Sequence, residues 1–172
     1  MLNSGFTNPR YQKVHAVDRY MAKGLDLIIL VICALILTLI WYPVAAVGAI
    51  CYALFHDAFN NGVSPGKMIV GLKVIKYPEE EGAPITWKLS ALRNISFAIF
   101  TLFAVIPMIG WILMFLVGIP LLIFESYLLY SLESGYRLGD ILAGTRVVSL
   151  RDYKDVQTEE VEAPEIHEAD NQ

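Results

Sequence analysis

Charge is scarce in this sequence. Aspartate, glutamate, lysine and arginine make up 17% of the 172 residues, against 56% hydrophobic, a balance outside that of water-soluble globular domains. Cysteine is nearly absent. Cys33 and Cys51 both fall in apolar stretches, so they are read as small hydrophobes rather than as a disulfide or metal pair. The three histidines, His15, His56 and His167, stand in three separate regions, which argues against a zinc cluster; no metal and no cofactor is expected. A cleavable leader is not expected either, because the first 24 residues are polar and the first apolar run is too long and lacks a small-x-small site after it.

What fills the chain instead is long apolar runs. Leu25 to Tyr42 carries one charge, Asp26, and is just long enough to cross a hydrocarbon core of ~30 Å at ~1.5 Å per residue. Trp41 and Tyr42 supply interfacial aromatics before Pro43, where the chain turns, since the residue before a proline resists the helical conformation. Val44 to Phe59 follows at once. A second apolar block runs from Ile95 to Tyr130, interrupted only by Glu125 and broken in the middle by Pro107 and Gly110. A continuous helix from about Thr86 to Ile106, amphipathic in its first turns, and a return helix are expected there.

The fold class expected is thus an all-α integral membrane protein: four transmembrane helices in two hairpins, with spans near 25–42, 44–60, 92–106 and 109–130. Around them lie an N-terminal segment 1–24, a loop 61–91 within a membrane domain 25–150, and a tail 151–172. That tail holds two basic and eight acidic residues and reads as solvated and disordered.

Basic residues orient the spans. Arg10, Lys13, Arg19 and Lys23 precede the first; Lys67, Lys73, Lys76, Lys88 and Arg93 lie between the hairpins; Arg137, Arg146, Arg151 and Lys154 follow the last. The turns at Pro43 and Pro107 carry none. The positive-inside rule then puts both termini and the central loop in the cytoplasm, with the plasma (inner) membrane as the expected location.

The loop NNGVSPGKMIVGLKVIK, residues 60–76, superficially suggests a phosphate cradle. A Walker A loop would need glycine at position 61 and Ser or Thr at 68, where this sequence has Asn61 and Met68, and it would follow a strand rather than a membrane helix. Neither nucleotide nor nucleic acid is expected as a partner. Ser64, Ser90 and Ser134 lack histidines nearby in sequence, so no nucleophile and base constellation is present and the chain is not read as an enzyme. GLKVIKY and GTRVVSL each follow a glycine with period-two alternation, predicting two short strands paired as a cytoplasmic β-like ribbon, with PEEEG as a turn.

Three stretches, RYMAKGLD from Arg19, GVSPGKMIVGLKV from Gly62 and YRLGDILAGTRVV from Tyr136, together resemble the RDD family of membrane proteins. The RYMAKGLD stretch keeps the spacing of Arg19, Ala22 and Asp26. The GVSPGKMIVGLKV stretch is similar to the family's loop, with Gly62, Ser64, Gly66, Lys67 and Gly71, and the YRLGDILAGTRVV stretch resembles its closing motif through Arg137 and Asp140. The position before Asp140 is often histidine in such proteins, and here it is Gly139, so a role for that histidine does not carry over. The resemblance implies sodium/proton exchange for some members and an accessory-subunit role for others.

Arg19 and Asp26 stand seven apart, two turns along one helical face, so each is expected to pair with another segment. Asp140, Arg137, Arg93 and Lys67 are the available partners. Carboxylates near a bilayer cost ~2.5–3.5 kcal/mol at mid-helix and less at its edge. Asp26, Asp57 and Glu125 all lie away from the midplane, where secondary transporters hold their coupling ions. An interfacial charge network of Arg19, Asp26, Lys67, Arg93, Arg137 and Asp140 in a small membrane scaffold or accessory subunit is therefore preferred. The alternative is a cation/proton transporter with its path through Asp26, Asp57 and Glu125. Besides the lipid bilayer, the expected partner is a second copy of the chain or a membrane or cytoplasmic protein. Lys67 is expected to meet lipid phosphate, Asp26 or Asp140.

Overall fold

A computed structural model describes residues 11–158 except 13, 78–82 and 132–135. The described chain is mostly helical. Helix α1 spans Ala16–Thr38 and α2 spans Tyr42–Phe55. A short α3, Pro65–Val70, leads into strand β1, Leu72–Lys76. Helices α4, Trp87–Arg93, and α5, Ile95–Val105, follow. Helix α6, Ile109–Leu113, continues through a π-helical turn at Met114–Gly118 into α7, Ile119–Ser131. Helix α8, Leu138–Ala143, and strand β2, Thr145–Ser149, come next, and residues 150–158 form a last helix, α9.

Helix α1 is amphipathic in an unusual sense. Its buried residues, Arg19, Ala22, Asp26 and Leu30, recur at spacings of three and four and so share one face; this face is ionic within the first three turns and apolar beyond. Elsewhere on the helix Ile28, Val31, Ile32, Leu35 and Ile36 are exposed, as a lipid-facing surface is. In α2, Ala45, Ala49 and Ala53 are buried four residues apart. Small side chains there let helix backbones approach closely, the usual packing device in lipid. Leu30, Ala49, Ala53, Phe97 and Ala98 form the apolar core among these helices. At the Pro43 end, the Tyr42 hydroxyl donates to the Val105 carbonyl, tying the first helical hairpin to the second.

Among the described residues, two helices are long and apolar enough to cross a membrane, Ala16–Thr38 and Ile109–Leu128. The other two expected spans are shorter than the sequence suggests. Helix α2 stops at Phe55, short of residue 60, and the continuous helix expected from Thr86 to Ile106 is broken by a 70° bend between α4 and α5. The bend sits at Asn94, whose backbone leaves the helical region and whose side chain amide donates to Asp57 at 3.0 Å. A polar residue anchored outside the helix axis redirects the chain, so α4 runs as a separate amphipathic piece.

The ribbon forms as the alternation predicts. β1 and β2 pair antiparallel with Val74 opposite Val147 and Leu72 opposite Ser149; the PEEEG segment lies outside the described residues. Two strands alone are marginal in water, and here both faces are covered. Leu72 and Val147 pack on Ala22 of α1, while Ile75 and Val148 pack with Tyr11 and Val156. Val156 belongs to α9, so residues 150–158 are helical rather than disordered. Tyr153 and Val156, three apart, share the side that closes over the ribbon, and Lys73 Nζ lies 3.8 Å from the Tyr153 ring centroid.

Candidate functional site

The first three turns of α1, the end of α2, α3, α4 and α8 converge on a buried ionic cluster. Three carboxylates lie at its centre, Asp26, Asp57 and Asp140, none more than 2% exposed. A charge so far from water is tolerated only with partners and fixed donors around it, and each carboxylate has its own set.

Asp26 is held by neutral groups. The Ser64 hydroxyl donates to it at 2.6 Å and the Gly66 backbone N–H at 2.8 Å. This arrangement explains the loop motif. Ser64 also accepts from the Lys67 backbone N–H, at 3.3 Å, as N-cap of α3, so one hydroxyl both starts that helix and binds the α1 carboxylate. Gly66 has to be glycine because a Cβ there would stand 2.9 Å from the Asp26 backbone nitrogen. Gly62 and Gly71 adopt positive φ, 91° and 77°, Gly71 as the left-handed cap that ends α3. The loop is a docking turn for α1. Ser64→Ala removes both the cap and a donor to a buried carboxylate, and is expected to cost about 1–3 kcal/mol, read as a lowered unfolding midpoint in detergent.

Asp57 is gripped by cations. Lys67 forms an ion pair with it, and Arg93 Nε lies 3.0 Å from its other oxygen. Asp140 pairs with Arg19 and, at 3.0 Å, with Arg93 Nη1; it also accepts the Arg137 backbone N–H at 3.2 Å. Arg93 is thus shared between two carboxylates, one after α2 and one on α8. Burial alone would raise the Asp140 pKa, but Arg93, Arg19 and Arg137 outweigh it and hold the group down at about 2, from an ordinary 3.8. Since the folded value is the lower one, this carboxylate contributes on the order of 2 kcal/mol of stability above pH ~4, lost as pH falls towards 2. Melting curves between pH 5 and pH 2 should show that loss, and Asp140→Asn should flatten it.

His56 sits between the first two carboxylates. Its Nδ1 lies 3.1 Å from the Tyr52 carbonyl, which can only accept, so Nδ1 carries the proton. Nε2 then faces Asp26 and Asp57, 3.7 Å from each, with no hydrogen-bond partner among the described residues.

Of the expected network, the structure brings Arg19, Asp26, Lys67, Arg93 and Asp140 into one cluster, with different pairings from those the spacing suggested. Lys67 is buried against Asp57 instead of facing lipid phosphate, Asp26 or Asp140, because α3 folds its lysine inward once Gly66 seats on α1. The Arg137 guanidinium pairs with no carboxylate among the described residues and lies over the Tyr20 ring, 5.2 Å from its centroid. Asp26 and Asp57 adjoin through His56. Glu125 does not join them; it lines a small cavity with Arg19, Lys67, Arg93, Arg137 and Asp140.

His56, Asn94 and Lys23 were not singled out for the site by sequence reasoning. Asn94 accepts from Lys23 Nζ at 3.0 Å while donating to Asp57. The signal for Asn94 was its place beside Arg93 at the mouth of an apolar run, where two consecutive polar residues are uneconomical unless both have partners.

The model of the RDD family matches residues 35–144. The matched stretch contains Asp57, the loop with Ser64, Gly66 and Lys67, and Arg93 and Asp140; Arg19 and Asp26 lie ahead of it. No curated protein and no solved structure matches the chain.

Proposed function

The chain belongs to the RDD family, and from that premise we propose that it is a small multi-pass membrane scaffold or accessory subunit rather than an enzyme. In this reading four helical segments enter the bilayer as two hairpins in the plasma (inner) membrane. The short α2 and α5 are completed by the residues at their ends, both termini are cytoplasmic, and the ribbon, α8 and α9 form a cytoplasmic platform for a protein partner. The distribution of basic residues supports that orientation.

The observation that carries the proposal is the saturation of the buried carboxylates. Asp57 holds Lys67, Arg93 and Asn94, and Asp140 holds Arg19, Arg93 and the Arg137 N–H. A carboxylate that loads and releases a mobile cation has to shed donors on each cycle. Here the donors come from several separate elements, and shedding them would loosen the joint between membrane helices and ribbon.

One observation favours the second reading, a cation/proton transporter. His56 Nε2 is buried between Asp26 and Asp57 without a hydrogen-bond partner among the described residues, the arrangement a proton relay would use. Reconstitution into liposomes with a pH-sensitive dye and a sodium gradient separates the two. The scaffold reading expects no flux from wild type and the same from Asp26→Asn. A sodium-dependent flux abolished by Asp26→Asn or His56→Gln would establish transport instead. Affinity purification from native membranes should recover a stoichiometric partner, whether a second copy or another protein.

A further inference from the structure

Beside the ionic cluster, a groove of about 350 Å³ opens between α1, α5 and α7, within the ~300–1,000 Å³ usual for binding pockets. Its two ends differ chemically. One is walled by Leu27, Phe100 and Leu122; the other carries Lys23, Arg137 and Glu125. The helices that frame it present exposed apolar faces, Ile28 on α1 and Ile123 on α7 among them, so its flanks are surfaces suited to acyl chains.

The polar end holds two cations at the edge of the cluster, neither in a direct ion pair with its carboxylates. Lys23 Nζ contacts the Asn94 amide oxygen and the Phe97 ring, and the Arg137 guanidinium contacts the Tyr20 ring. Neither pairs with a carboxylate among the described residues. One Arg137 guanidinium nitrogen, Nη2, is buried without a hydrogen-bond partner among the described residues, a costly state that a ligand oxygen would relieve. With Glu125 counted, the three groups sum to one positive charge. Gly24, which lines the groove, has open space within 4 Å of where a Cβ would stand, so the groove wall is unfilled there.

From this geometry we infer that the groove binds a single anionic phospholipid of the surrounding bilayer. Its phosphodiester lies between Lys23 and Arg137, and an acyl chain runs along Leu27, Phe100 and Leu122. The charge sum matches a headgroup of one net negative charge, and an arginine fork suits phosphate oxygens. Glu125 faces the same end and opposes the anion, which limits affinity so that the lipid exchanges.

Native mass spectrometry of the full chain in mild detergent, titrated with phosphatidylglycerol or phosphatidylcholine of identical acyl chains, tests the site. Wild type should retain one phosphatidylglycerol, about fivefold or more in excess over phosphatidylcholine. Lys23→Gln and Arg137→Gln should each lower that retention about fivefold, the worth of one basic group at a membrane surface. Glu125→Gln should raise it. Gly24→Leu, which fills the wall and favours the helix, should lower binding of both lipids while melting no lower than wild type. Glycerol phosphate, which has the charge without the chain, should not displace the lipid. Equal retention of the two lipids by wild type, undiminished retention in a folded Gly24→Leu protein, or displacement by glycerol phosphate would each overturn the inference.

Discussion

Arg93→Ala is expected to destabilise the protein by about 3–5 kcal/mol, the range found when one partner of a buried ion pair is removed. The size follows from its position. One guanidinium serves Asp57 through Nε and Asp140 through Nη1, both at 3.0 Å, so its loss leaves two buried carboxylates each short of a cation. Arg93→Lys should recover part of the loss, because a single ammonium is a point charge and lacks the planar fork that reaches both carboxylates. Equilibrium unfolding in mixed micelles, followed by helical circular dichroism, reads the difference. A midpoint for Arg93→Lys equal to that of wild type would show that bridging contributes nothing.

Gly139→Ala is expected to be as damaging although it adds a single methyl group. Gly139 lies where α8 crosses α4, and a Cβ there would stand 2.8 Å from the Arg93 carbonyl carbon and nearer still to its oxygen. Backbone atoms of a packed helix cannot step aside, so α8 would have to lift. Asp140, its neighbour, would lose its contact with Arg93. The cost should reach about 4 kcal/mol or more, in the range reserved for overpacking combined with a broken buried network. Gly139→His, which introduces the residue often found there in RDD-like sequences, should fare no better in this chain. Yield of monodisperse protein and the melting midpoint would reveal either effect; a Gly139→His protein that melts with wild type would refute the close-approach explanation.

The large features were legible because they rest on composition and period. Apolar runs marked the first and last membrane helices, and period-two alternation after Gly71 and Gly144 marked the strands that pair as β1 and β2. Helix ends were less legible. Hydropathy measures how long an apolar run is, not where the backbone departs from the helix, so the stop at Phe55 and the bend at Asn94 were missed. Both lie next to polar residues whose partners come from elsewhere in the chain. The helix at 150–158 was hidden by the acidic residues around it, because two residues, Tyr153 and Val156, carry its packing side.

For the ionic cluster, sequence spacing identified which residues carry charge but not which meet. Arg19 and Asp140 are 121 positions apart and Asn94 and Asp57 are 37 apart, separations over which local periodicity holds no information. Ser64 illustrates the limit. It stood out in the sequence only as part of the loop motif; it caps α3, and its hydroxyl proton is committed to Asp26 on another helix.

A double-mutant cycle between Arg93 and Asp140 tests most directly whether the buried charges form one lattice joining the membrane helices to the ribbon. Unfolding free energies of wild type, Arg93→Met, Asp140→Asn and the double variant would be compared in the same micelles. The lattice expects the double variant to lose less than the sum of the single losses, by roughly 1.5–3 kcal/mol, since each single change already breaks the shared contact. Losses that add to within about 0.5 kcal/mol would mean that the two residues act independently and that no such lattice holds the fold.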